Sequence, residues 1–313
     1  MLRLLVVGAG GQVGGKIGEL AKRRGHFTLG TYRSRKPQSG YDETFLLDKT
    51  NKSLVRTLLA ETKPDAIIDT GALHNVDYCE SHPDEAMAVN YEGTGNLSSA
   101  SAEIGAKFLF VSTDYVFDGA KGSQYSEDDS PNPESAYSKS KLKGENAIIA
   151  LNKNSVVCRP SVIYSHVAGL HMQESSSGKP LNFGAWLVSQ LMLGKEVKIV
   201  TDQIASPTLA DDLAGAILSI VQSPSVKGIY HTAGATPLSR FEFCLKIAEK
   251  LGLETRLIMP VESSSLKQLA KRPRNSSLSS FKLEKEIGYK MMDIDTALGV
   301  FASQYKLDPL LKA

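Results

Sequence analysis

Short apolar runs of four to six residues recur through the first half of the chain, separated by longer stretches whose apolar residues come every three or four positions. Strands alternating with crossover helices in this way build a parallel sheet with helices on both faces. The runs predict strands over 4–7, 27–31, 43–47, 66–69, 107–112 and 155–159, with helices between them. Six strands in this order make a doubly wound sheet of the α/β class. The second half is less regular. A Ser/Gly-rich stretch over 174–179 reads as a loop, short strands fit 197–200 and 228–231, and helical periodicity covers 183–193, 209–222, 240–251 and 294–305.

Length and charge narrow the picture. A chain of 313 residues holds one large α/β domain, or a domain of about 150 residues with a smaller companion. Lys and Arg number 36 against 34 Asp and Glu, with no long basic block, so neither nucleic acid nor a membrane surface is an expected partner. Cys79, Cys158 and Cys244 are scattered through periodic segments, the pattern of buried, reduced thiols. The N-terminal apolar run at 4–7 is too short for a signal segment or a membrane span. A cytoplasmic location is expected.

The first strand runs into Gly8-Ala9-Gly10-Gly11-Gln12-Val13-Gly14, and a helical pattern starts at once. In such a strand-turn-helix, glycines serve a tight turn, close backbone approach to a pyrophosphate, and packing of helix on sheet. The first N–H groups of the helix then face the phosphates. A tight βα turn also tolerates glycine without any ligand. The second strand leads into Thr31-Tyr32-Arg33-Ser34-Arg35-Lys36, with no acid to bind a ribose 2′-hydroxyl. Arg33, with Ser34 and Arg35, suits a 2′-phosphate and argues for NADP(H), a solvated basic loop being the plain alternative. Asp48 is placed either to accept from the adenine amino group or to cap the next helix. Gly71 and Ala72 supply small residues after the fourth strand.

Hydroxyls arrive at the end of the fifth strand, in Ser112-Thr113-Asp114-Tyr115, where ligands of open α/β sheets bind. Further on, Tyr137 and Lys141 stand four residues apart and share one helix face. A phenol is a weak acid near neutrality, and a neighbouring ammonium together with a cationic nicotinamide favours its phenolate. In isolation such a pair is an ordinary surface pair; its conjunction with the glycine turn and the strand-end hydroxyl points to catalysis.

The segments G-A-G-G-Q-V-G, P-D-A-I-I-D, V-D-Y-C-E, V-N-Y-E-G-T-G-N-L, S-T-D-Y-V-F-D-G, Y-S-K-S-K-L-K-G-E and D-Q-I-A-S-P-T occur in an order that resembles the dTDP-4-dehydrorhamnose reductase branch of the extended short-chain dehydrogenases. The resemblance implies a Rossmann domain over 1–160, to which 203–227 returns, and a smaller, interleaved substrate lobe built mainly from 161–313. It implies a triad of Thr113, Tyr137 and Lys141 reducing a nucleotide-linked 4-keto sugar: hydride from the nicotinamide, a proton from Tyr137, and Thr113 orienting the keto oxygen. Lys141 would also donate to the nicotinamide ribose. A homodimer is one candidate assembly.

Two stretches depart from the family. Where it shows an asparagine and alanines, this chain has Asp69-Thr70-Gly71-Ala72; where many rhamnose-pathway members carry a tryptophan, it has Arg159-Pro160-Ser161-Val162-Ile163-Tyr164. Trp186, on an expected helix, reads as a core residue. The histidines lack metal-ligand spacing, and His74 and His82 read as solvated loop residues. Arg272 and Arg274 would meet a pyrophosphate or else form an exposed basic turn. Two rival functions remain open: a regulatory NADP-binding subunit, since the methionine adenosyltransferase beta subunit resembles the same branch, and a sugar-nucleotide epimerase or dehydratase holding NAD, against which the Arg33 loop speaks.

Overall fold

The computed structural model describes residues 1–166 and 182–307, so the loop expected at 174–179 lies outside the described residues. The six expected strands form within a residue of their predicted bounds: β1 (Arg3–Val7), β2 (Phe27–Tyr32), β3 (Glu43–Leu46), β4 (Ala66–Asp69), β5 (Lys107–Val111) and β6 (Ser155–Arg159). Four short strands follow, β7 (Ile163–Tyr164), β8 (Val197–Val200), β9 (Ile204–Ala205) and β10 (Thr208–Leu209). Then β11 (Gly228–His231) joins the main sheet as its seventh strand, parallel to β6. The sheet order is β11-β6-β5-β4-β1-β2-β3, all parallel, and the chain changes direction across the sheet between β1 and β4. A cleft opens beyond the carboxyl ends of strands at such a reversal.

Alternation along each strand feeds two cores. Leu4 and Val6 of β1, Ile68 of β4, Leu109 of β5 and Cys158 of β6 point to one face, against α1 (Gln12–Arg23) and, from far along the sequence, α8 (Ala210–Val221). Leu5, Val7, Ile67, Phe108, Phe110 and Val157 point to the other, against α2 (Lys52–Thr62), α5 (Gly93–Glu103) and α6 (Ala136–Leu151). Period-two alternation with apolar residues at both phases is the physical reason these strands read as continuous apolar runs. All three cysteines are buried and unpaired.

Between β4 and α5 come α3 (Val76–Ser81), α4 (Pro83–Met87) and a π-helical turn over Ala88–Glu92 that runs on into α5. The buried Asn90 in that turn accepts from Leu73 N (2.9 Å) and donates to Leu73 O (3.0 Å) and Ser140 Oγ (3.0 Å). It thereby ties the segment after β4 to α6.

A third core gathers α7 (Phe183–Met192), α9 (Arg240–Leu251) and α11 (Ile294–Leu307) around Tyr164, Leu187, Phe243 and Phe301. Trp186 packs at its margin, 5.6 Å from Phe183. Small sheets edge this lobe: β7 with β10, β9 with β12 (Leu238–Ser239), and β8 with β13 (Ile258–Val261). The short α10 (Phe281–Ile287) returns to the main sheet, where Leu283 enters the first core. No helix among the described residues is long and apolar enough to cross a membrane.

Candidate active site

A cavity of about 840 Å³ lies at the carboxyl ends of β1, β2, β4 and β5. Its wall includes Gly8, Gly10, Gly11, Gln12, Val13, Arg33, Ser34, Arg35, Asp48, Gly71, Ala72, Thr113, Tyr137 and Lys141, so the structure brings together every residue named for the dinucleotide site and the triad except Gly14. Gly14 faces the turn: a Cβ there would run into Gly8 O, so its role is to let α1 pack on the sheet.

The turn itself fits a dinucleotide. Gly8 holds φ at +83°, and a Cβ on Gly10 would strike the carbonyl oxygen of Arg35. Helix α1 starts without a side-chain cap, because Gly11 at that place has none to give. No acid occupies its first turn. A helix start of this kind, open to a cavity, is suited to phosphate.

Asp48 does not cap α2; Asn51 does, accepting from Leu54 N at 3.2 Å. Asp48 instead accepts from the backbone and hydroxyl of Thr50 (2.9 and 2.7 Å). Next to it lies a residue that sequence reasoning missed. Lys49 Nζ is buried and donates to Asp69 Oδ2 (2.7 Å), Gly71 O (2.6 Å) and Thr94 Oγ1 (3.1 Å). Asp69 also accepts from Gly71 N (3.0 Å) and Thr94 Oγ1 (2.9 Å). This closed network fixes the cavity wall from Thr70 to Ala72. The one available signal was the aspartate standing where the family carries asparagine: a buried ammonium requires a carboxylate partner.

Both residues at the end of β5 that carry hydroxyls, Ser112 and Thr113, line the cavity, and each hydroxyl has a carboxylate partner. Ser112 Oγ donates to Glu145 Oε1 (2.5 Å), and Glu145 is held by Arg159 in a fully buried pair. Thr113 lines the cavity; its hydroxyl accepts from Tyr115 N (3.2 Å) and donates to Asp114 Oδ1 (3.2 Å). Asp114 Oδ2 accepts from Ser161 (2.8 Å) and Ser276 (2.5 Å), joining the strand end to two segments of the lobe. Burial pushes this carboxyl's pKa up, against the pull of those hydroxyls.

Helix α6 begins with a reciprocal cap between Ser135 and Ser138, and Ala136 N donates to Glu80 Oε2 (2.9 Å). Tyr137 therefore sits in the first turn at a fixed depth, its carbonyl accepting from Ser140 Oγ (2.7 Å). Burial raises the phenol's pKa, the Thr113 hydroxyl lowers it, and the Asp114 carboxylate raises it. The Lys141 ammonium donates to Val111 O (2.7 Å) and lies 3.9 Å from the centroid of the Phe110 ring. Burial, followed by the Lys49 charge, lowers its pKa to about 7.

His74 lies in the loop after β4, half-buried, and lines the cavity; His82 is exposed between α3 and α4 and stacks on Tyr78 with centroids 4.0 Å apart. Arg272 is 8% exposed and paired with Asp77 at 2.7 Å, a tether between the lobe and α3; neither it nor Arg274 reaches the cavity wall. On the lobe side the wall is made by Pro160, Val162, Ile163, Phe183 and Arg240. Val162 holds φ at +41°, a conformation costing a β-branched residue about 1–3 kcal/mol. Its neighbour Ser161 is bonded to Asp114 and, through its carbonyl, to Thr208 Oγ1 (2.6 Å), and Val162 O itself accepts from Thr208 N (3.1 Å).

The profile of the family described as RmlD substrate binding domain matches residues 2–307. A dTDP-4-dehydrorhamnose reductase of Aggregatibacter actinomycetemcomitans is 32% identical over 311 residues, covering 95% of this chain and 97% of that protein. Methionine adenosyltransferase 2 subunit beta of Bos taurus is 30% identical over 293 residues, covering 90% of this chain and 81% of that one. Among solved structures, dTDP-4-dehydrorhamnose reductase from Bacillus anthracis in complex with NADP superposes with a TM-score of 0.81 at 29% identity, over 96% of this chain and 98% of that chain. Fold, cavity and a sequence match running nearly from end to end agree, and the chain belongs to the RmlD family of NAD(P)-dependent sugar-nucleotide reductases.

Proposed function

We propose that this protein is an NADPH-dependent reductase of a nucleotide-linked 4-keto sugar, with Thr113, Tyr137 and Lys141 as its catalytic group. The observation that carries this reading is their convergence on one cavity with the uncapped start of α1. Gly8 to Val13 would hold the cofactor's diphosphate, and Arg33, Ser34 and Arg35 its 2′-phosphate. When bound, the reduced nicotinamide supplies the hydride that reduces the carbonyl carbon.

Tyr137 gives the keto oxygen its proton. Burial favours the neutral phenol, the form from which an acid donates. Thr113, whose oxygen is held by Tyr115 N, orients the substrate oxygen. Lys141 binds the ribose and, when protonated, stabilises the phenolate left behind. Tyr137 is then reprotonated from solvent. The product is an alcohol, with hydride and proton accounted for.

The sugar stays unspecified in this reading, because Ser161-Val162-Ile163 replaces the segment that carries tryptophan in many rhamnose-pathway members. A screen of NADPH oxidation against dTDP-, UDP- and GDP-linked 4-keto sugars tests it. At least one should be reduced at the expense of NADPH, and failure with all of them while NADPH binds would favour a regulatory role. The 30% identity to the methionine adenosyltransferase subunit keeps that second reading in play.

A further inference from the structure

Five Lys and Arg side chains line the cavity among the described residues: Arg33, Arg35, Lys49, Lys141 and Arg240. Arg33 and Arg35 follow β2, at the end assigned to the cofactor's 2′-phosphate. Lys49 is engaged by Asp69, Gly71 and Thr94, and Lys141 by the Val111 carbonyl. Arg240 is different. Its guanidinium carbon lies 5.0 Å from the centroid of the Phe183 ring, and no carboxylate among the described residues forms an ion pair with it.

Its placement also runs against local energetics. Arg240 is the first residue of α9, where the helix dipole favours an anion and disfavours a cation. Its backbone N–H is fixed on Gln203 O at 2.9 Å, within the D-Q-I-A-S-P-T segment. The wall around it is otherwise apolar, formed by Pro160, Val162, Ile163 and Phe183. The Arg240 charge pulls down the pKa of Asp114, beside Thr113, although burial raises it overall. A cation on an apolar wall, braced by an aromatic ring and set at the start of a helix, is built to receive an anion.

We propose that Arg240, braced on Phe183, is the residue that binds the diphosphate of the nucleotide-linked substrate. The assignment rests on the reductase reading and makes it specific. A guanidinium fork pairs with two phosphate oxygens at once, and in a nucleotide sugar the diphosphate is attached to the same ring that carries the carbonyl. Cofactor phosphates are served by the opposite wall, so Arg240 acts on the substrate half alone.

The test is calorimetric titration of the NADP-saturated protein with UDP and dTDP, and with uridine and thymidine as phosphate-free controls. The parent protein should bind at least one nucleoside diphosphate. Arg240→Gln should weaken that binding about tenfold to a hundredfold, as expected for a lost charged hydrogen-bonding partner. Arg240→Lys should recover part of the loss, while NADP affinity, melting temperature and nucleoside binding stay at parent values. Equal diphosphate binding by parent and Arg240→Gln overturns the assignment and leaves the reductase reading standing. If the parent binds neither diphosphate, both fall together.

Discussion

In the proposed reading, cofactor choice turns on Arg33. It lines the cavity beyond β2 where a carboxylate would serve NAD, and it is exposed, so its contribution rests on pairing with a ligand rather than on packing. Arg33→Ala should weaken NADPH by about 1.5–3 kcal/mol and leave NADH nearly unchanged, read by fluorescence titration with both cofactors. An equal loss for the two would remove the case for a 2′-phosphate site. The place of Arg33, Thr113, Tyr137 and Lys141 on the cavity wall was legible because each lies in a short stretch whose neighbours announce the context: a strand end or a helix face. That of Lys49 and Arg240 was not. Their meaning comes from Asp69 and Phe183, far away in sequence, and only folding makes them neighbours.

At the scale of elements, the site is held by the ends of strands and the starts of helices, with buried polar groups as fasteners. The Lys49–Asp69 pair locks the end of β4 to the turn before α2, and Asn90 in the π-helical turn links Leu73 to α6. Removing one member of a buried pair strands the other charge, whereas removing both avoids that penalty. Lys49→Met or Asp69→Asn alone should therefore cost about 3–5 kcal/mol in urea unfolding, and the double variant clearly less than the sum. Strict additivity would mean that the two do not act as a pair. Strand positions were predictable because apolar residues fall on both faces of β1, β4, β5 and β6. The π-helical turn was not, since V-N-Y-E-G carries ordinary helical periodicity and nothing in it marks an inserted residue.

Across the whole molecule, late segments of the chain complete the early sheet, as α8 does against α1 and β11 does beside β6. Length and strand order anticipated the sheet, but the place of 228–231 at its edge depends on a long-range pairing that local pattern does not contain. His231 on β11 marks that junction: its N–H donates to Glu127 (2.7 Å), and its ring Nδ1 lies 3.2 Å from Tyr125 O. Burial, then the Arg159 charge, lowers its pKa to about 3. The unfolded chain takes up this proton near pH 6.5 and the folded one only near 3, so the stabilisation is complete above the higher value and is lost as pH falls between them. In urea unfolding at a series of pH values, His231→Gln should lose less stability than the parent on going from neutral to acid. Parallel curves would show that another group governs the acid limb.

The central claim is that Tyr137 is the proton donor in a ketone reduction. Once a keto-sugar nucleotide has been found, the direct test is the single-turnover rate of NADPH oxidation by the parent and by Tyr137→Phe, with NADPH affinity measured beside it. The substitution removes one buried oxygen, so the fold and cofactor affinity should hold while the rate falls by about two to four orders of magnitude. A Tyr137→Phe protein that turns over like its parent would contradict the mechanism.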